Sequence, residues 1–182
     1  MKTRKQKSIE IAINYFNTYS ILYFIVGILA TLVTIWFKPL DLGIIVIPPS
    51  SWVMGLTFLL ITLIVEKYGN QVASKMIWIL LALTSIICFL LGYSQVLVVA
   101  SGVAFILGQF STKLLYELTN RSLFSSMIGS LIDAIFWILL GLSPIGIGSV
   151  SWDRFIFAVA GQVIVQFIMQ WIANLIHDRW LN

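Results

Sequence analysis

Charge is scarce in this chain. Asp, Glu, Lys and Arg make up 10% of its 182 residues, where a soluble domain carries about 25%. Hydrophobic residues make up 60%, and the mean hydropathy is +1.01. Those two deviations together mean that the solvent is lipid, which removes most enzyme classes before any motif is read. Cysteine is limited to Cys88, inside an apolar run, so no intrachain disulfide exists and helix packing is its expected role. His177 is also alone, so a His-rich or Cys/His metal site is absent. The seven acidic positions are scattered, no Gly-rich phosphate loop occurs, and neither a Ser/His nor an Asp pair lies within a span. The reading is therefore no enzyme, no catalytic residue, no metal and no cofactor. The net charge of +4 is no nucleic-acid footprint, because most basic residues flank apolar runs.

What is present is a series of apolar stretches. About 20 apolar residues cross a bilayer as helix, and backbone in hydrocarbon must satisfy its own hydrogen bonds. The runs cover roughly 15–37, 51–65, 76–91, 96–118, 123–142 and 155–176, an all-α integral membrane protein with six transmembrane helices in a single domain over 1–182. Leu42 to Ile47 is apolar as well, a candidate re-entrant segment before Pro48-Pro49. Nine of the eleven basic residues fall on one side of such a bundle, with only Lys38 and Arg154 on the other. The positive-inside rule then predicts both termini in the cytoplasm of a multi-pass protein of the cell (plasma or inner) membrane. Trp36, Trp52, Trp152 and Trp180 fall at expected interfaces. The first apolar run is too long, and lacks the small-residue exit, for a cleaved signal peptide. The two halves show no residue-level repeat.

Ionisable groups at membrane depth are costly, about 2.5–3.5 kcal/mol on insertion scales, and mark function by default. Asp133 is the clear case, ten residues into the fifth run. Ser122, Ser126, Gly129, Ser130 and Asp133 recur at spacings of three and four, one small polar face that reads either as a packing seam or as part of a site. The sixth run carries Gln162, Gln166, Gln170 and Asn174, each four apart. Gln162 and Gln166 are expected to line a cavity, while Gln170 and Asn174 are placed toward the cytoplasmic interface. Gln109 sits beside a stripe of Ser101, Ala104, Gly108 and Thr112. Glu66 closes the second run, either as an interfacial charge near Lys67 and Lys75 or as a functional acid. Asn14 and Asn17 open the first run as caps or polar lining.

The stretch from Phe58 to Gly69 resembles a signature of the vitamin-uptake-transporter family, also called queuosine-precursor transporters, which reads approximately F-L-L-T-D-L-V-T-E-V-Y-G. Phe58, Leu59, Leu60, Leu63, Glu66, Tyr68 and Gly69 match, and Ile61-Thr62 replaces the family's Thr-Asp. Ala100-Ser101, Ala104-Phe105 and Gln109-Phe110 resemble the family's A-S, A-F and Q-F pairs, with Thr112 in place of an acid. Ser125 to Asp133 resembles S-T-L-I-S-Q-L-I-D, keeping Ser125, Leu131, Ile132 and Asp133, with Ser130 in place of Gln. Gly161-Gln162 resembles the family's G-Q; Gln166 stands for a lysine, and the closing L-D-T-P is not recognisable. The resemblance implies a six-helix importer of a queuosine precursor such as 7-cyano-7-deazaguanine or a related nucleobase-like or vitamin-like molecule. In that reading Asp133 accepts the ring N–H and exocyclic amine of the guanine edge. Gln109, Gln162 and Gln166 address its other atoms, with Ser126, Ser130 and Glu66 nearby. Loss of the second acid at Thr62 implies a shifted substrate or a weaker dependence on protons.

Partners expected are therefore the lipid bilayer and a deazaguanine-like small molecule, with no nucleic acid; self-association as a homo-oligomer is compatible with the sequence. Two other classes stay open at this stage. One is a substrate-binding membrane subunit of an energy-coupling-factor-like uptake system, and the other is a non-transporting scaffold.

Overall fold

The computed structural model describes residues 18–43 and 45–181, without the side chains of 177–181. The N-terminal basic cluster, Asn14 and Asn17 lie outside the described residues, as do the side chains of His177 and Trp180. Six helices are long and apolar enough to cross a membrane. They are α1 (Thr18–Trp36), α2 (Ser51–Tyr68), α3 (Asn70–Leu90), α4 (Gln95–Thr119), α5 (Ser122–Trp137) and α6 (Phe155–Leu181). Six such helices, with a two-stranded hairpin between α1 and α2, fit an all-α membrane protein.

Helix α2 is the hub. Its apolar window is 61% buried, against 28–44% for the other five, and every residue from Thr57 to Val65 is buried. A helix apolar on all sides is one enclosed by its neighbours, and α2 contacts α1, α3, α4, α5 and α6. The outer helices turn large side chains such as Phe89, Leu118 and Ile156 outward, as a lipid-facing surface requires.

Two turns are set by backbone conformation. Gly69 has φ +85° and is the single residue between α2 and α3, a left-handed conformation that glycine adopts without penalty. Asn120 takes the left-handed conformation (φ +53°) at the end of α4, its N–H bonding to the Tyr116 carbonyl 2.8 Å away, so α5 starts two residues later. Helix α5 does not end as an α-helix. Ile138–Leu142 continues it as a π-helical turn, closed by the Ser143 N–H on the Ile138 carbonyl at 2.8 Å.

The segment between α1 and α2 is a small hairpin and not a re-entrant helix. Strand β1 (Leu40–Asp41) pairs antiparallel with β2 (Val46–Ile47). Pro48 and Pro49 follow at once, and a run this short cannot close helical hydrogen bonds before them. The hairpin lies on the first turns of α6. Val46 is buried in a cluster with Leu97, Trp137 and Ala158, and Asp41 Oδ1 pairs with Arg154 Nη2 at 2.6 Å.

The α4–α5 crossing is built on small residues. A β-carbon on Gly129 would lie 2.7 Å from the Gly108 carbonyl oxygen. Helices in lipid associate through this kind of close backbone approach.

Candidate functional site

Asp133 is the single charged side chain that is buried among the described residues, with 4% of its surface exposed. It sits on α5 facing α6, whose glutamines recur every four residues and so stack one turn apart on one face. That spacing brings two amides to one oxygen. Gln162 Nε2 donates to Asp133 Oδ2 at 3.3 Å, and Gln166 Nε2 donates to the same atom at 3.2 Å. Oδ1 receives no hydrogen bond from the described residues. Because both nitrogens must face a carboxylate, the amide oxygens are turned elsewhere. Oε1 of Gln162 and of Gln166 are buried and have no hydrogen-bond partner. The site is thus rich in acceptors and short of donors.

Asp133 and Gln162 also line a cavity of about 70 Å³, several times the ~10–15 Å³ that one water needs. Its walls come from all six helices and include Thr31, Met54, Thr84, Ser101 and Trp137. The wall residues Ile35, Ser50, Cys88 and Tyr93 place it in the half of the bundle next to the hairpin and the α3–α4 turn. From Asp133 toward the opposite end, interior polar groups close on one another. Gln170 Nε2 donates to the Ser126 carbonyl at 3.4 Å, Thr119 and Ser125 share a hydrogen bond of 3.2 Å, and Thr62 bonds with Ser122.

Compared with family models, curated proteins and solved structures, the chain matches none. The site is therefore read from its own geometry.

That geometry brings together Asp133, Gln162 and Gln166 and separates the other sequence candidates. Gln109 is buried, but its Nε2 donates to Thr57 Oγ1 at 2.9 Å and it does not border the cavity. Ser126 and Ser130 share the buried face of α5, yet their hydroxyls donate to the carbonyls of Leu123 and Met127 at 2.9 and 3.0 Å. They do not border the cavity and do not hydrogen-bond Asp133. Glu66 is exposed at the far end of α2, beside Tyr116, and is not part of the cluster. Gln170, placed at an interface from sequence, is buried within the bundle. Thr112, where the resembled family has an acid, donates to the Gly108 carbonyl at 2.9 Å.

Sequence reasoning missed most of the cavity wall. Trp137 lies four residues after Asp133, one turn up the same face, and that spacing could have found it. Thr31, Thr34 and Thr84 carried no such signal. Their hydroxyls are spent on carbonyls of their own helices, and only the packing of α1 against α3 turns them toward the cavity.

Proposed function

We propose that the protein is a membrane importer of a small, flat, neutral molecule with a donor-rich edge, of the deazaguanine class to which queuosine precursors belong. The observation that carries this reading is the shortage of protein donors at two residues that line the cavity, Asp133 and Gln162. Asp133 Oδ1 and Gln162 Oε1 both lack donors from the protein. A guanine-type edge offers a ring N–H beside an exocyclic N–H, the paired donors that such an acceptor-rich site lacks. A buried site of this kind discriminates strongly, because an analogue without the donors leaves its acceptors unpaired. Trp137 supplies an apolar wall for a ring. The resemblance around Phe58–Gly69 and Ser125–Asp133 supports the same class.

With both termini cytoplasmic, as the positive-inside rule has it, the cavity would lie in the outer half of a plasma or inner membrane. Substrate would then enter from outside, since polar groups of the opposite half, Gln170 and the Ser126 carbonyl among them, bond to one another.

The test is ligand-induced stabilisation of the detergent-purified protein by 7-cyano-7-deazaguanine, compared with 7-deazaadenine, which lacks the paired donors. Stabilisation by the first alone is expected. Asp133→Asn turns an acceptor into a donor, and a hydrogen bond to a charged partner contributes about 1.5–3 kcal/mol. Affinity should therefore fall by roughly ten- to a hundredfold. Undiminished affinity in a well-folded Asp133→Asn protein would end the claim. Uptake by the purified chain alone in liposomes separates a self-sufficient transporter from a subunit that needs partners.

A further inference from the structure

The two oxygens of Asp133 are treated unequally. Oδ2 accepts both amide N–H groups, at 3.3 and 3.2 Å, and Oδ1 accepts none from the described residues. Each carboxylate oxygen has about two lone-pair sites, so the two amides fill those of Oδ2. An ionised carboxylate spreads its charge over both oxygens and draws N–H donors in to about 2.7–2.9 Å when the donor is itself charged. The longer distances here fit a neutral carbonyl oxygen. Oδ2 as C=O and Oδ1 as C–O–H is the arrangement of a carboxylic acid.

The surroundings call for that neutral form. No buried Lys, Arg or His accompanies Asp133 among the described residues, and a buried charge with no counter-charge is strongly unfavourable. From α4 and α2 the neighbours are Gly108 and Phe58, and from α6 the two glutamines. The other titratable side chains on the cavity wall, Cys88 and Tyr93, carry no positive charge. Charged residues of the packed helices lie farther along. Glu66 and Lys67 are exposed at the end of α2, Lys113 on α4 donates to Ser74 at 2.8 Å, and Glu117 pairs with Asn70.

A proton also has a route to this carboxyl from one direction. The cavity that Asp133 borders runs to Tyr93 in the α3–α4 turn and to Ser101, which is exposed. Its volume of about 70 Å³ has room for a few waters, and hydroxyls of Thr31, Thr34, Thr84 and Ser85 belong to its lining residues, the polar setting that water requires. Toward the other end the interior polar groups bond to one another.

We propose that Asp133 is a proton-binding site, holding a proton on Oδ1 until substrate binds and exchanging it through the hydrated cavity with the hairpin side of the bundle. The site stands on the bundle's own geometry. One consequence rests on the proposed substrate class: ligand N–H groups supply the donors that an ionised carboxylate needs, so binding releases the proton to cavity water.

Infrared spectra of the detergent-purified full chain at neutral pH test this. Exposed carboxyl groups are ionised there, so the carbonyl stretch of a protonated acid is expected in the wild type and its loss in Asp133→Asn. In D₂O the band should shift as O–H becomes O–D. Thr84→Leu, which narrows the cavity, should slow that exchange, and Gln170→Leu, in the opposite half, should leave it unchanged. Melting curves report whether each variant is folded. If Asp133→Asn is not, Gln166→Leu identifies the band, because losing one N–H from the carbonyl oxygen moves it to higher frequency. A wild-type spectrum without the band, a band that persists in folded Asp133→Asn, or one that ignores D₂O overturns the site; equal exchange in folded Thr84→Leu overturns the route. Addition of 7-cyano-7-deazaguanine should abolish the band and acidify a weakly buffered solution. Ligand binding that leaves the band intact would overturn the release. Failure of the ligand to bind a protein that shows the band would count against the proposed substrate alone.

Discussion

Gly108 on α4 and Asp133 on α5 meet so closely that any side chain at Gly108 would press on the carboxylate's own β-carbon, 2.9 Å away. The position of this buried carboxylate is therefore fixed by a glycine on a neighbouring helix. The same crossing places Gly129 against the Gly108 carbonyl, and backbone there cannot rotate out of the way as a side chain can. Gly129→Ala should lower the stability of the detergent-purified protein by about 1–3 kcal/mol, the usual cost of overpacking. A thermal melt checks it, and an unchanged midpoint would show that the helices separate without cost.

Two glutamines on the same stripe of α6 should respond in opposite ways. Gln162→Leu removes a donor from Asp133 and a polar side chain from the cavity lining, so affinity for the organic ligand should drop by about tenfold or more. Gln170→Leu removes a buried amide whose oxygen has no partner. It also gives up the hydrogen bond to the Ser126 carbonyl, so stability should fall by about 0.5–1.5 kcal/mol while affinity for the organic ligand is kept. Paired binding and melting measurements distinguish them; loss of affinity in Gln170→Leu would move the site deeper than Gln162.

Cys88 is the chain's single cysteine and borders the cavity, which makes it a ready reporter. A small membrane-impermeant thiol reagent should reach it from the outer face of intact cells and not from the cytoplasmic face of inverted vesicles. Bound substrate should slow that labelling. Labelling from the cytoplasmic face alone would reverse the assigned orientation.

At the hairpin, the Arg154 guanidinium and the Gly43 N–H beside Asp41 hold its carboxyl below the usual aspartate range. A depressed folded-state value means that the contact contributes fully above the unfolded value of about 3.9. The contribution is lost as pH falls through the lower folded value. Arg154→Gln should therefore raise the Asp41 titration toward its ordinary value, as followed by the carboxyl infrared band that the wild type and Arg154→Gln show and Asp41→Asn lacks. At neutral pH its effect on melting should be small, because the pair is solvent-exposed.

The helices were legible because hydropathy reports the apolar slab, but it reports the slab and not the helix. Helix α3 starts at Asn70, six residues before its apolar run begins at Met76, since Asn70 to Lys75 are helical yet polar. Asp133 with Gln162 and Gln166 was legible because spacings of three and four translate directly into a helical face. What joins two helices was not. The Gln109–Thr57 hydrogen bond spans 52 residues of sequence, and the threonines of the cavity wall resemble any other threonine in an apolar run. The hairpin was hidden for a related reason: two-residue strands carry no periodicity, and Leu42 to Ile47 reads as greasy whether it enters the membrane or folds on α6.

The π turn at Ile138–Leu142 has a consequence for chain length. A π turn is an α-helix with one residue inserted, so deleting one residue there would let the segment close as an ordinary helix, with Asp133 and Trp137 upstream unmoved. The same deletion between Ser122 and Asp133 would turn the carboxylate about 100° around α5, away from both glutamines. Tolerance to shortening is thus divided within one membrane crossing: slack is stored just past the charge, and none is available before it.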